Sequence, residues 1–214
     1  MIARILFIFR KDLRRLWPYV VGLWAITACG VAIDAAYYDQ FGLGGHYLLN
    51  AIPLLEWTAC WVVVVLLIQQ ERLVGHDPYW LARPIAWQEL LAAKALFIVA
   101  AGVPVWICHR TLWFSNDLSS VAQFTMFLVL PAAAFACVTS NLGQSVLAFI
   151  GAFSAVAILS PWLRIWLNLP MTPAIVAAAV SLTVILLQYS HRRETLARAI
   201  LLAGIAALVV SMRF

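Results

Sequence analysis

The stretch LLNAIPLLEWTACWVVVVLLI, residues 48–68, decides how this chain is read. It holds a single charged residue, Glu56, and as a helix it matches the roughly 20 apolar residues needed to cross a hydrocarbon core about 30 Å thick. Comparable runs lie at 19–36, 91–108, 121–138, 145–159 and 174–188. A seventh, 199–212, is shorter and suits either a span or a surface helix. The whole chain follows the same bias. Of its 214 residues, 65% are hydrophobic and 11% charged, against roughly 45–50% and 25% in soluble domains. A soluble fold of this size could not hide so much apolar surface. The expectation is an all-α, polytopic transmembrane helix bundle with six spans and a candidate seventh.

Charge sets the orientation. With the N-terminus inside, the inner segments hold Arg4, Arg10, Lys11, Arg14, Arg15, Arg72, Arg83, Lys94, Arg192, Arg193 and Arg198, while the outer ones hold Arg110, Arg164 and Arg213. That asymmetry is the positive-inside bias of a cytoplasmic N-terminus, and it predicts a multi-pass protein of the plasma (inner) membrane. The net charge of +5 is spread through short loops rather than gathered on one face, which argues against nucleic acid as a partner and for the lipid bilayer. Trp17, Trp80 and Trp87 fall at the inner boundary and Trp57, Trp113, Trp162 and Trp166 at the outer one, as aromatic belts do. Trp24 and Trp61 fall deeper and read as packing residues.

Ahead of the first span, Ile2, Ile5, Leu6, Phe9, Leu13 and Leu16 recur at helical spacing among basic residues. Residues 1–17 therefore read as an amphipathic helix in the cytoplasmic membrane interface, bending into the bilayer at Trp17–Pro18. The segment lacks the order of a signal peptide, so the first span is expected to be retained.

Few side chains suggest chemistry. There is no H-E-x-x-H, G-x-S-x-G or phosphate-cradling G-x-x-x-x-G-K-[ST] pattern, so no catalytic residue is assigned and any ATP would be hydrolysed by another polypeptide. Cys29, Cys60, Cys108 and Cys137 lie far apart in apolar runs and read as small buried residues; with the scattered His46, His76, His109 and His191 they form no metal site. Asp34 and Glu56 are the acids nearest membrane depth and would suit a proton or cation path. Both fall within about two turns of the outer boundary, and the favoured reading is that they reach headgroups or water. A secondary carrier would show repeated halves and broken helices, and neither is visible.

The connector after the second run is the most informative: QQERLVGHDPYWLARPIAWQELLAAK, residues 69–94. It combines charges, a glycine, two prolines and three large aromatics, where a plain connector would be shorter and more polar. Pro78 and Pro84 break helices, and exposed aromatics beside charges suit a protein docking surface.

This order resembles the loop after the second span of type 2 ABC-exporter permeases, in a bacterial branch with similarly worded loops. There a Glu, a Gly, a Pro–Ile turn and a Lys entering the third span recur, matched here by Glu71, Gly75, Arg83–Pro84 and Lys94. The resemblance implies that residues 69–90 form a coupling loop, with Glu71, Arg72, Gly75, Asp77, Tyr79, Trp80, Arg83 and Pro84 docking on a cytoplasmic P-loop ATPase subunit. It also implies an elbow helix at 1–17, a permease domain over 18–190, and an outer interfacial element at the proline-bounded 160–171. A second permease subunit, identical or related, is implied, with ATP on the partner and no cofactor on this chain. Residues 191–214 depart from the family's layout: they add a terminal helix, or the chain is the first part of a longer permease. The alternative is an accessory or assembly membrane protein that holds a soluble partner through the same loop. The small residues Gly151 with Ala155, 132–134 and 177–179 would let helices pack closely and slide.

Overall fold

The computed structural model describes residues 2–40, 46–70, 86–112, 125–159, 171–191 and 193–211. Among them are seven α-helices and no strand: α1 (Ile2–Gln40), α2 (His46–Gln69), α3 (Trp87–Leu112), α4 (Leu130–Val138), α5 (Leu142–Leu159), α6 (Met171–His191) and α7 (Glu194–Ser211). A π-helical turn, Thr125–Val129, leads into α4. Pro131 follows directly and has no N–H to give to the carbonyl four residues back, so the wider turn falls where the regular ladder is already broken. Each apolar run of the sequence lies in one of these helices, as far as the described residues extend. The outer element at 160–170 lies outside them.

The chain divides into two units, Met1–Val63 with Gln88–Val121, and Val64–Trp87 with Ala122–Phe214. In the first unit, α1 differs from expectation. It runs through Pro18 without a break, and its 39 residues make a rod about 58 Å long. Its buried positions are Ile8, Asp12, Leu16, Val20, Leu23, Thr27 and Gly30, one stripe at helical spacing that passes the proline. Continuous burial of that stripe stabilises the helix enough to accept one missing hydrogen bond. The apolar face read from the sequence is rotated away from this stripe, since Ile2 and Leu6 are exposed. On α3 the buried stripe is Glu89, Leu90, Ala93, Lys94, Phe97, Ala101 and Val105. Its opposite face carries Leu96, Val99, Val103 and Ile107, all exposed.

Ile2–Ile33 within α1 and Trp87–Val105 within α3 are long and apolar enough to cross a membrane, and only 22% and 39% of their most apolar windows are buried. A helix apolar on both faces needs an apolar surrounding on both. The second unit shows the same feature: Leu147 and Ile150 on α5, Ile175, Leu182 and Leu186 on α6 and Leu202 on α7 are all exposed.

In the second unit α6 packs along α4 and α7, and α5 touches both α4 and α7. α4 is enclosed, with residues 132–138 all buried. The small residues there and Ala177 and Ala178 on α6 are used in packing, as expected; Gly151 is exposed and faces open space. α6 and α7 pack closely against each other, and Gly204 lies against Val180. A Cβ at Gly204 would stand 3.0 Å from the Val180 Cβ and closer to both its methyls. Gly204→Ala should therefore destabilise the protein by about 1–3 kcal/mol, and Val180→Ala in the same chain should restore most of it. Thermal unfolding of the purified variants checks this, and equal melting of Gly204→Ala and parent would refute the close approach.

Candidate functional site

Most of the polar side chains that the helices bury gather in three places; Ser181 and Gln188 are buried on α6 as well. The first lies in the first unit, where Lys94 of α3 donates from Nζ to Asp12 Oδ2 of α1 at 2.7 Å. Both side chains are shut away, at 1% and 0% exposure. Asp12 Oδ1 makes no hydrogen bond and faces Lys11 Nζ at 3.6 Å. Nearer the helix starts, Arg4 stands 3.8 Å from the nearly buried Glu89. Phe9 and Phe97 meet edge-on with centroids 6.2 Å apart, and Trp24 Nε1 donates to the Ala101 carbonyl at 3.0 Å. Contacts Arg4–Glu89, Asp12–Lys94 and Trp24–Ala101 advance along both helices together, so α1 and α3 run parallel.

The second place joins α1 to α2. Thr27 donates to Glu56 Oε1 at 2.6 Å, and its hydroxyl also lies 3.1 Å from the Leu23 carbonyl. Glu56 is 2% exposed. The expectation that it reaches headgroups or water is corrected: it sits against α1, where a hydroxyl replaces the lost solvent. Asp34 lies in α1 with its side chain outside the described residues.

The third place is one end of the second unit. Gln69, last in α2, donates from Nε2 to Ser145 Oγ at 2.8 Å and Thr139 Oγ1 at 3.2 Å. Thr139 donates to the Phe135 carbonyl at 2.7 Å, and the Thr139 and Ser145 hydroxyls are bonded to each other. Asn141 caps α5 by accepting from the Gln144 N–H at 2.9 Å, while Gln144 Oε1 accepts from the Ser140 N–H and hydroxyl. This is a capping-box exchange displaced by one residue. Arg198 of α7 donates from Nε and Nη2 to the Val138 carbonyl at 3.3 and 3.2 Å, closing the end of α4, and pairs with Glu194. The end of α2, the α4–α5 turn and the start of α7 thus meet at one end of this unit.

The residues read as the coupling loop, Glu71, Arg72, Gly75, Asp77, Tyr79, Trp80, Arg83 and Pro84, lie outside the described residues. Lys94, read as the lysine that enters the third span, lies in α3 and is buried there. Among the cysteines, Cys137 is buried as expected and Cys29 is exposed. No group of three metal-binding side chains occurs among the described residues. Trp61 is buried and Trp24 half-buried, as packing residues should be, and Trp17, Trp57 and Trp87 are exposed.

Sequence reasoning missed Asp12, Thr27 and Glu89. Asp12 carried a readable signal: it is the lone acid in a basic segment, four residues from both Ile8 and Leu16. No family model, curated protein or solved structure matches the chain.

Lys94→Met would leave the buried Asp12 with only the part-exposed Lys11 at 3.6 Å and should destabilise the protein by about 3 kcal/mol, whereas Asp12→Leu with Lys94→Met should return close to the parent. Denaturant unfolding in detergent measures both. A single variant as stable as the parent would show that the pair does not hold α1 to α3.

Proposed function

We propose that the chain is the membrane-spanning permease subunit of an ATP-binding-cassette exporter, working with a second permease subunit and with ATP hydrolysed on separate cytoplasmic P-loop subunits. The observation that carries this reading is the order Glu71, Gly75, Arg83–Pro84, Lys94 between the second and third apolar runs, preceded by an N-terminal amphipathic segment. Six spans with a cytoplasmic N-terminus, and α7 as a candidate seventh, belong to the same reading.

Three structural features support it. The outward faces of α3, α5, α6 and α7 are apolar, as lipid-facing helices are. The first and third spans of such a protein must run in the same direction, and α1 and α3 do. The ends that the charge bias assigns to the inside, at Gln69, Thr139–Ser145 and Arg198, meet one another. The seventh helix extends the same alternation.

In this reading, closure of the ATPase dimer presses on residues 71–80, and rearrangement of packed helices, not side-chain chemistry, opens the path outward. The downstream arm of the loop enters α3 at Trp87, within two turns of Lys94, so the buried Lys94–Asp12 pair would pass displacement of the loop to α1.

Co-purification with the candidate ATPase tests the proposal. Glu71→Ala combined with Gly75→Pro should abolish association while leaving the thermal stability of the chain unchanged. Association that ignores the loop, or a soluble partner with no ATPase, would overturn the permease reading, the latter in favour of an accessory role.

A further inference from the structure

Between α4, α5 and α7 lies an open cleft of about 540 Å³, a volume within the range of roughly 300–1,000 Å³ typical of small-molecule sites. It exists because, beyond Gln144, α5 presents the small residues Ala148, Gly151 and Ala152 to it, opposite Leu201, Leu202 and Ile205 of α7. A Cβ built on Gly151 meets nothing within 4 Å. The polar members of the wall, Thr139, Gln144 and Arg198, all sit at one end, beside the α4–α5 turn and the first turn of α7. From Gln144 to Ala152 the wall becomes purely apolar over about 12 Å of helix.

We propose that this cleft binds an anionic phospholipid, with its phosphate at Arg198 and an acyl chain laid along the small face of α5. The proposal rests on the membrane reading above, which puts the polar end at the cytoplasmic surface. Charge complementarity selects the headgroup. The segment from 191 to 198 carries Arg192, Arg193 and Arg198 against the single Glu194. The Arg198 guanidinium spends Nε and Nη2 on Val138 and Glu194, and Nη1 makes no bond among the described residues. Basic pockets between helices at the cytoplasmic side suit anionic headgroups. An amphiphile also matches the one-way gradient from polar to apolar, which a second apolar helix would not use.

Native mass spectrometry of the full chain in neutral detergent, titrated with phosphatidylglycerol or with phosphatidylcholine of the same acyl chains, tests this. The parent should hold the anionic lipid more tightly, by about fivefold for each arginine engaged. Arg198→Gln should erase the preference and Arg198→Lys should keep most of it. Gly151→Leu, whose Cβ would meet nothing within 4 Å and whose side chain would enter the cleft, should weaken both lipids while the protein melts no earlier than the parent. Equal affinity for the two lipids in the parent, or unchanged binding in Gly151→Leu, would overturn the site. Loss of a dimer in Gly151→Leu with lipid binding intact would overturn it in favour of a second copy of the chain. No ATPase enters this assay, so its failure leaves the permease reading standing. A chain that stays in solution without detergent would sink the membrane reading instead.

Discussion

Burying Lys94 and Asp12 together removes two full charges from solvent, at several kcal/mol for each ion, and the first unit is arranged so that their attraction offsets it. The 2.7 Å contact needs α1 and α3 held in one register, and the neighbouring contacts supply that. Phe9 meets Phe97, Trp24 reaches the Ala101 carbonyl, and Arg4 approaches Glu89. A shift of one residue along either helix would separate the two buried charges, so the pair acts as a register lock more than as a source of stability. It also accounts for the continuity of α1. The stripe that begins with Ile8 and Asp12 must stay in phase with Val20 and Leu23 beyond Pro18, and a bend at Trp17–Pro18 would rotate one half away from α3.

How much of this the sequence carried depends on the kind of signal. Apolar runs near spanning length are set by composition alone, so the seven helices were legible, including α7, whose run is the shortest. The rotational setting of a helix was less so. On residues 1–17 the apolar residues occupy too wide an arc to choose a face, and the structure chooses the one containing Asp12 because Lys94 lies opposite. Pairing across 82 residues leaves no local trace. Glu56 was legible as a lone acid within an apolar run, but its partner Thr27 is an ordinary helical threonine until α1 and α2 are placed side by side.

Small residues serve different ends in the second unit. Gly204 is required by Val180, and the alanines of α4 are buried on every side, so there smallness permits close approach. Gly151 has the same sequence signature, and a Cβ built on it would meet nothing within 4 Å. The distinction is invisible in one dimension, since both glycines sit in apolar helices beside alanines. What separates them is the partner: α7 packs along α6 with Gly204 against Val180, while the small face of α5 is left facing a cleft.

Helix ends impose the strictest demand in the second unit. The last carbonyls of a helix and the first amides of the next have no partners within their own ladders, and an apolar surrounding offers none. Here Arg198 closes the end of α4, Asn141 and Gln144 close the start of α5, and Gln69 bridges Thr139 to Ser145. Each of these bonds joins groups from different elements, or from the two sides of a turn. Sliding α7 along α4 would therefore uncap Val138, and lifting the α4–α5 turn would strand the Gln69 amide. Such motions carry a penalty at every cap, so α4, α5 and the start of α7 must move together with the end of α2. Any displacement of Gln69 would thus reach three helices at once.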